Sequence, residues 1–330
     1  MMARKRELTL LPPGVRVYIG EESRAKRSFL TDVFELARRE GFVELDLPTL
    51  DYYDSMIKGV SKNLARRTYQ FQDDEGERLA LRPDATAQVA KILSGRFSPE
   101  ELPGKYCYSC RSYRAFELRR GEQREFQQFG AEIISADQKK SDLELLIFLF
   151  NSLEEVKIDK FVLDLGHVQV YQGLLEETDI NSTERRRIWK EMYHKNEKAL
   201  ADIVEKLAIP ELQKEILLDL PGLYGGAEVL DKAEKIKKQS PTARRALDHL
   251  SFLYDELCSA GYGDWISLDL SVVRDLDYYT GIVFEGLVSG FGRPLVGGGR
   301  YDNLYANYGA AHSATGFALE IDRLLPLLQQ

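Results

Sequence analysis

Several polar residues in this 330-residue chain have the types and spacing to hold a small charged molecule. Between Ser271 and Glu285, Arg274, Tyr278 and Tyr279 lie between two β-rich runs, Val272-Val273 and Ile282-Val283-Phe284. A glycine cluster follows at 297–299, then Tyr301. An arginine, aspartates and paired tyrosines on neighbouring strands suit a small zwitterion better than a plain core. A second set lies on Glu125–Ile134, which reads as a strand. Side chains there alternate, so Gln128, Gly130 and Glu132 share one face and Phe129, Ala131 and Ile133 the other. A buried carboxylate needs a partner; for Glu132 it is either Arg114 or a bound ligand. A third set follows Pro83, where Asp84 and Thr86 open a helix. Asp84 is either a simple N-cap or, with Thr86, an acceptor for a primary ammonium.

Other spacings point to less. Cys107 and Cys110 form half a zinc site, but the only other cysteine is Cys258 and the four histidines are scattered, so no metal is expected. On one strand the two thiols would face opposite ways. Gly290, Gly292 and the 297–299 cluster lack the strand-to-helix context of a dinucleotide fingerprint and read as hairpin and close-approach glycines. Arg185, Arg186 and Arg187 read as a solvated helical face rather than a nucleic-acid patch.

The elements that must position these residues show in the apolar pattern. Glu22 to Arg39 has helical spacing, Gly41 stops it, and residues 42–47 alternate as a strand ended by Pro48. Residues 68–72 and 78–82 form a hairpin that leads into the helix at Asp84. Residues 105–114 and 125–134 are strands joined by a polar loop. A helix at 141–153 and a strand at 160–165 follow. Residues 179–260 change to Glu-, Lys-, Arg- and Leu-rich helical patterns and read as a helical insertion. Strand character returns at 262–270, and the chain closes on an apolar helical pattern that includes residues 314–323.

Composition sets the class. Charged residues make up 30% and hydrophobic ones 44%, ordinary for a soluble globular domain. The net charge of −8 supplies no global field for nucleic acid. Three cysteines fit a reducing compartment. Neither a membrane span nor a signal peptide shows. A cytoplasmic protein is expected.

Taken together, these motifs resemble the histidyl-tRNA synthetases. The helix, Gly41, strand and Pro48 are similar to the first class II synthetase motif. Tyr113-Arg114, the basic loop and Arg124-Glu-Phe-Gln-Gln-Phe-Gly-Ala-Glu132 are similar to the second, and Ala314-Thr-Gly-Phe-Ala-Leu with Arg323 to the third. Arg274-Asp-Leu-Asp-Tyr-Tyr-Thr280 and Gly298-Gly-Arg-Tyr-Asp302 resemble the two histidine signatures. The resemblance implies that Asp84, Thr86 and Gln128 hold the α-ammonium of histidine and Arg274 its carboxylate. Glu132, with Tyr278, Tyr279 and Tyr301, would read the imidazole. Arg114 joins this pocket and, with Arg323, stands where the synthetases place ATP phosphates. The chemistry is consistent: a carboxylate matches the arginine fork and an imidazole N–H needs an acceptor.

The departures matter equally. Phe116 and Glu117 replace a Glu-Arg pair beside the nucleotide, Glu122 replaces a basic residue, and Glu320 replaces a glycine of the third motif. Asp84 is shorter than the usual glutamate. Like charges about 4 Å apart repel by roughly 4 kcal/mol at an effective dielectric near 20, which disfavours a polyphosphate beside Glu320. The sequence stops just after the third motif, so no anticodon-binding domain is expected, and no tRNA ligand.

That combination is similar to the regulatory subunits of ATP phosphoribosyltransferase, as are Leu81-Arg-Pro-Asp-Ala-Thr86, Asp164-Leu-Gly-His-Val168 and Phe317-Ala-Leu-Glu-Ile-Asp-Arg-Leu324. The resemblance implies no catalytic residues, no cofactor and a hetero-oligomer with a short catalytic phosphoribosyltransferase subunit. It also implies feedback inhibition by histidine and a homodimer core built by the first-motif region. The expected fold is α+β: a class II synthetase-like antiparallel sheet flanked by helices, with the insertion near 179–260. A truncated histidine-activating enzyme is the alternative, and a histidine-binding domain recruited to an unrelated partner a third reading.

Overall fold

A computed structural model describes residues 10–98, 100–102, 104–115, 123–155, 157–158, 161–176, 178–272 and 278–329. Its strands are β1 (Val43–Leu45), β2 (Leu50–Tyr52), β3 (Gln70–Gln72), β4 (Arg78–Leu81), β5 (Gly104–Tyr113), β6 (Glu125–Ile134), β7 (Phe161–His167), β8 (Tyr224–Gly225), β9 (Ile266–Asp269), β10 (Ile282–Val288), β11 (Val296–Arg300) and β12 (Ala314–Glu320). Nine of them form one sheet in the order β1-β5-β6-β12-β11-β10-β7-β9-β8, and β2-β4-β3 form a second, small one. The fold is α+β, as the sequence predicts, but the large sheet is mixed. Its β1–β5 and β7–β9 pairs are parallel, and its other neighbours antiparallel. Both parallel pairs involve strands of three or four residues, too short to carry a readable direction in their side-chain pattern.

The two faces of the sheet have different fates. On one, Phe129, Ala131, Ile133 and Phe317 pack under the helices Glu21–Arg39 and Gln138–Glu155 and build the main core. Phe42 stacks on Phe148 at 4.3 Å and Phe34 meets Phe129 edge-on at 5.4 Å, geometries that aromatic quadrupoles favour. On the other face Tyr108, Cys110 and Tyr301 form a smaller cluster under the helix Ala85–Arg96. Cys107 belongs to the first face and Cys110 to the second, and burial pushes both thiols up to about 12.

The hairpin reading holds: β3 and β4 pair with Phe71 opposite Leu79. The alternating pattern at 42–47 yields only β1, because the carbonyls of Leu47 and Pro48 turn to the buried guanidinium of Arg82 instead. That guanidinium also donates to Gln88 Oε1 at 2.9 Å and to the Arg111 carbonyl at 2.8 Å. It thereby ties the first-motif strand to β5 and the helix Ala85–Arg96.

The apolar pattern at 314–323 is mostly not helical. Residues 314–320 are β12, and the helix Ile321–Leu328 starts only afterwards. A strand buried on both faces reads as a continuous apolar run, which periodicity cannot separate from a buried helix. Between 179 and 260 the described elements are helical apart from β8 and a 3-10 turn. Ile188, Met192, Leu217 and Leu250 from these helices enter the same core as the sheet.

At the end of β7, His167 faces His249 of the helix Pro241–Ser259, and both are buried. His167 and His249 have ring centroids 5.8 Å apart, and His249 Nε2 lies 3.6 Å from Asp142 Oδ2. Burial pushes His167 down to about 3 and His249 down to about 4, and pushes Asp142 up to about 6. The two histidines thus stay neutral in the fold while the unfolded chain protonates them below pH ~6.5, so they remove stability as pH falls. Asp142 acts oppositely, keeping a proton from pH 6 downward that the unfolded chain holds only below ~4. Between pH 6 and 4 the two histidines outweigh the one carboxyl, so the fold loses stability as pH falls. His249→Gln is expected to flatten that slope relative to the wild type, as read from urea midpoints at successive pH values.

Candidate functional site

The second face of the sheet carries a cavity of about 780 Å³. Asp84, Thr86, Arg114, Gln128, Tyr278, Tyr279 and Tyr301, all singled out from the sequence, line it. Arg274 lies outside the described residues, as do Phe116, Glu117 and Glu122.

Glu132 does not itself line the cavity: it is 1% exposed and lies behind Tyr301 and Gly316, which do. Its partner is not Arg114, one of the two options above. Its carboxyl accepts instead from two tyrosine hydroxyls, Tyr108 at 3.2 Å and Tyr301 in a short contact. The reason is register. Tyr108 stands opposite Gly130, whose missing side chain leaves room for the phenol ring. Gly316, opposite Glu132 on β12, leaves room for the carboxyl: a Cβ at 316 would coincide with it and stand 2.6 Å from the Tyr301 hydroxyl. Burial pushes Glu132 well above the usual carboxylate range, and the charge of Asp84 adds to this. Such a group holds its proton toward neutral pH until a cation comes alongside.

Arg114 goes to the other side of the cavity. It lies 3.6 Å from Asp84 Oδ2, donates to the Pro83 carbonyl at 2.9 Å and covers the Phe126 ring at 4.7 Å. Asp84 is the N-cap, one of the two readings made of it. One oxygen caps the helix by accepting from the Thr86 amide at 3.0 Å, while the residue also borders the cavity. Thr86 Oγ1 lies 3.5 Å from the Tyr108 hydroxyl. Gln128 is fixed by Ser112, which donates to its Oε1 at 2.6 Å. Tyr278 lies edge-on to Tyr279 at 5.0 Å and tilts over Tyr301 at 5.3 Å. Burial pushes the hydroxyls of Tyr108 and Tyr278 well above their ordinary value, so both remain donors at any physiological pH. The site is therefore a tyrosine-lined carboxyl at one end and an Asp–Arg pair at the other. It can read a ring N–H and an ammonium on one small molecule.

The third-motif residues complete the wall. Glu320, opposite Gln128 across the β6–β12 pair, points its carboxylate at Arg323, with Oε2 2.7 Å from Nε. Arg323 also donates to the Pro294 carbonyl at 2.6 Å. Tyr108 escaped the sequence reading because its role depends on the β5–β6 register. So did the wall formed by Arg186, Trp189 and Tyr193 of the helix Ser182–Tyr193. Its signal was the i,i+4 pair Trp189 and Tyr193, stacked 5.9 Å apart, on a helix that buries Ile188 and Met192. The neighbouring Arg185 is not a solvated charge: its guanidinium donates to the carbonyls of Ile180 at 2.8 Å and Thr178 at 3.2 Å. Among the described residues no helix is long and apolar enough to cross a membrane.

Residues 14–324 match the family model described as histidyl-tRNA synthetase. A protein of Caldanaerobacter subterraneus named ATP phosphoribosyltransferase regulatory subunit is 34% identical, over 97% of this chain and 83% of its own. One of the same name from Geobacter sulfurreducens is 35% identical, over 97% and 73%. A crystal structure from Bacillus halodurans, described as an ATP phosphoribosyltransferase regulatory subunit/histidyl-tRNA synthetase, superposes with a TM-score of 0.88. It is 29% identical, over 97% of this chain and 83% of that one. The histidyl-tRNA synthetase of Nostoc, at 20% identity over 97% and 75% of the two chains with a TM-score of 0.81, shares the fold. With a class II synthetase fold and relatives of this similarity along nearly its whole length, the chain belongs to the family of ATP phosphoribosyltransferase regulatory subunits of histidine biosynthesis, built on a histidyl-tRNA synthetase-like domain.

Proposed function

We propose that this chain is a non-catalytic, cytoplasmic, histidine-sensing subunit that activates a short phosphoribosyltransferase and relays feedback inhibition by histidine. The observation that carries the non-catalytic part is the Glu320–Arg323 ion pair at 2.7 Å. It places a fixed negative charge on the arginine that a nucleotide polyphosphate would need. The amino-acid end of the cavity is intact: Glu132 with its tyrosines for the imidazole, and Asp84, Thr86 and Gln128 for the ammonium. Arg274 completes the proposal as the carboxylate partner. Histidine then inhibits by binding one assembly state better than another.

A homodimer core fits the same picture. Val43, Leu50, Tyr52 and Phe71, on β1 and the small sheet, are large apolar side chains with 43 to 56% of their surface exposed. Exposed apolar side chains that form one contiguous patch mark association surfaces. A truncated histidine-activating enzyme is favoured only by Arg114 and Arg323, which both border the cavity.

Two measurements on the purified protein decide between these readings. Calorimetry is expected to show histidine binding, and histidine-dependent ATP–pyrophosphate exchange is expected to stay at background. Robust exchange would overturn the regulatory reading. Co-expression is expected to bring down the short phosphoribosyltransferase and render it active and histidine-sensitive; a partner equally active alone would leave this chain without that role.

A further inference from the structure

Of the signature Gly298-Gly-Arg-Tyr-Asp302, Gly298 and Tyr301 line the cavity. Arg300 points to the opposite face, where it is 1% exposed and meets Asp142 of the helix Gln138–Glu155. Its Nη2 lies 2.7 Å from Asp142 Oδ1 and its Nε 3.1 Å from Oδ2. The remaining nitrogen donates to Asp302 Oδ1 at 3.0 Å. The other oxygen of Asp302 accepts from Thr280 Oγ1 at 2.9 Å, and that same hydroxyl accepts from the Asp302 amide at 3.0 Å. The Thr280 amide donates to the Arg300 carbonyl at 2.8 Å. Thr280 directly follows Tyr278 and Tyr279, and the Tyr279 ring packs over Gly299, where a Cβ would come within 2.8 Å of it.

We propose that Asp142, Arg300, Asp302 and Thr280 form a positioning relay, anchored in the core, that sets the segment 278–280 and Tyr301 against Glu132 without touching the ligand. A bidentate arginine–carboxylate pair is geometrically stiff. Fully buried, it has few alternatives to its observed arrangement, because an unpaired charge there is strongly disfavoured. Its far end is a single hydroxyl that both donates and accepts, so the tyrosine segment hangs on one residue that serine can replace and valine cannot. Without that hydroxyl, Asp302 keeps Arg300 but loses its hold on residue 280. Because the affinity arm of its test concerns histidine, the proposal rests in part on the reading given under Proposed function.

Thr280→Val keeps shape and volume close to native and removes both hydrogen bonds to Asp302, together with the 3.4 Å contact of the hydroxyl with the Arg300 carbonyl. Hydrogen–deuterium exchange of the ligand-free protein is expected to run at least about tenfold faster in peptides covering 278–284 and to stay unchanged in the helices Glu21–Arg39 and Gln138–Glu155. By calorimetry, histidine is expected to bind at least about tenfold more weakly to this variant, with Thr280→Ser restoring both quantities. Unchanged exchange at 278–284, or exchange raised equally throughout the molecule, overturns the relay. If the wild type binds no histidine, the sensing function falls, while the exchange comparison still decides the relay.

Discussion

Glu132→Ala is expected to abolish histidine binding. Removing one partner of a buried, hydrogen-bonded charged contact weakens binding by about 2–5 kcal/mol, or roughly thirty- to several-thousand-fold. The affected contact is the one at which a ring N–H would be read. The substitution deletes a carboxyl that burial already pushes toward its protonated form, so the folded state loses no strong ion pair. The variant is expected to keep its circular dichroism spectrum and cooperative melting while calorimetry registers no heat from histidine. Glu132→Gln retains an acceptor for the tyrosine hydroxyls and is expected to fall between the two. Unchanged affinity in Glu132→Ala would place the histidine site elsewhere.

Gly316→Ala attacks the same contact from the neighbouring strand, and here the fold suffers too. The added methyl would coincide with the Glu132 carboxyl and approach the Tyr301 hydroxyl to 2.6 Å. Residue 316 is in mid-strand, paired with Glu132 on one side and Gly299 on the other, so the backbone has no room to yield. Overpacking of this kind destabilises by about 1–3 kcal/mol, and the displaced carboxyl takes histidine affinity with it. The double variant Gly316→Ala/Glu132→Ala removes the obstructing carboxyl. It is expected to have a higher urea midpoint than Gly316→Ala alone, a non-additivity that residues in contact produce. Additive midpoints would mean that the methyl is accommodated without moving Glu132.

How much of this was legible before the structure depends on whether a feature is local. Alternation along β6 is local, and it correctly puts Gln128, Gly130 and Glu132 on one face. Asp84 as a helix start is local, and the cap is there. The partners of Glu132 are not local. Tyr108 reaches it only through the β5–β6 register, and no pattern within 104–113 announces which of its tyrosines that will be. Arg300 lies next to Tyr301 in a signature tied by resemblance to the ligand, yet alternation sends it to the opposite face, to Asp142, 158 residues away in sequence. The strand at 314–320 was hidden for the opposite reason. Burial on both faces erases the polar half of the pattern. The wall contributed by Trp189 and Tyr193 depends on how a helix of the 179–260 region docks, which its own residues do not encode.

The position of β12 has a consequence for how the site comes into being. It is the last strand along the chain but lies in the middle of the large sheet, between β6 and β11. During synthesis from the N-terminus, the block β1-β5-β6 and the block β11-β10-β7-β9-β8 can each pair internally, but nothing joins them. Each presents an open edge, the kind of surface on which strands from other molecules add. Gly316 and the seat for the Glu132 carboxyl arrive only with that final strand. The helix after it is then clasped by a buried ion pair between Asp322 and Lys26 near the start of the chain, while Asp322 also accepts from the Gln127 amide at 2.7 Å. The cavity is thus assembled late: Gly316, Phe317 and Ala318 of β12 form part of its wall, so it is complete only once β12 has paired between β6 and β11.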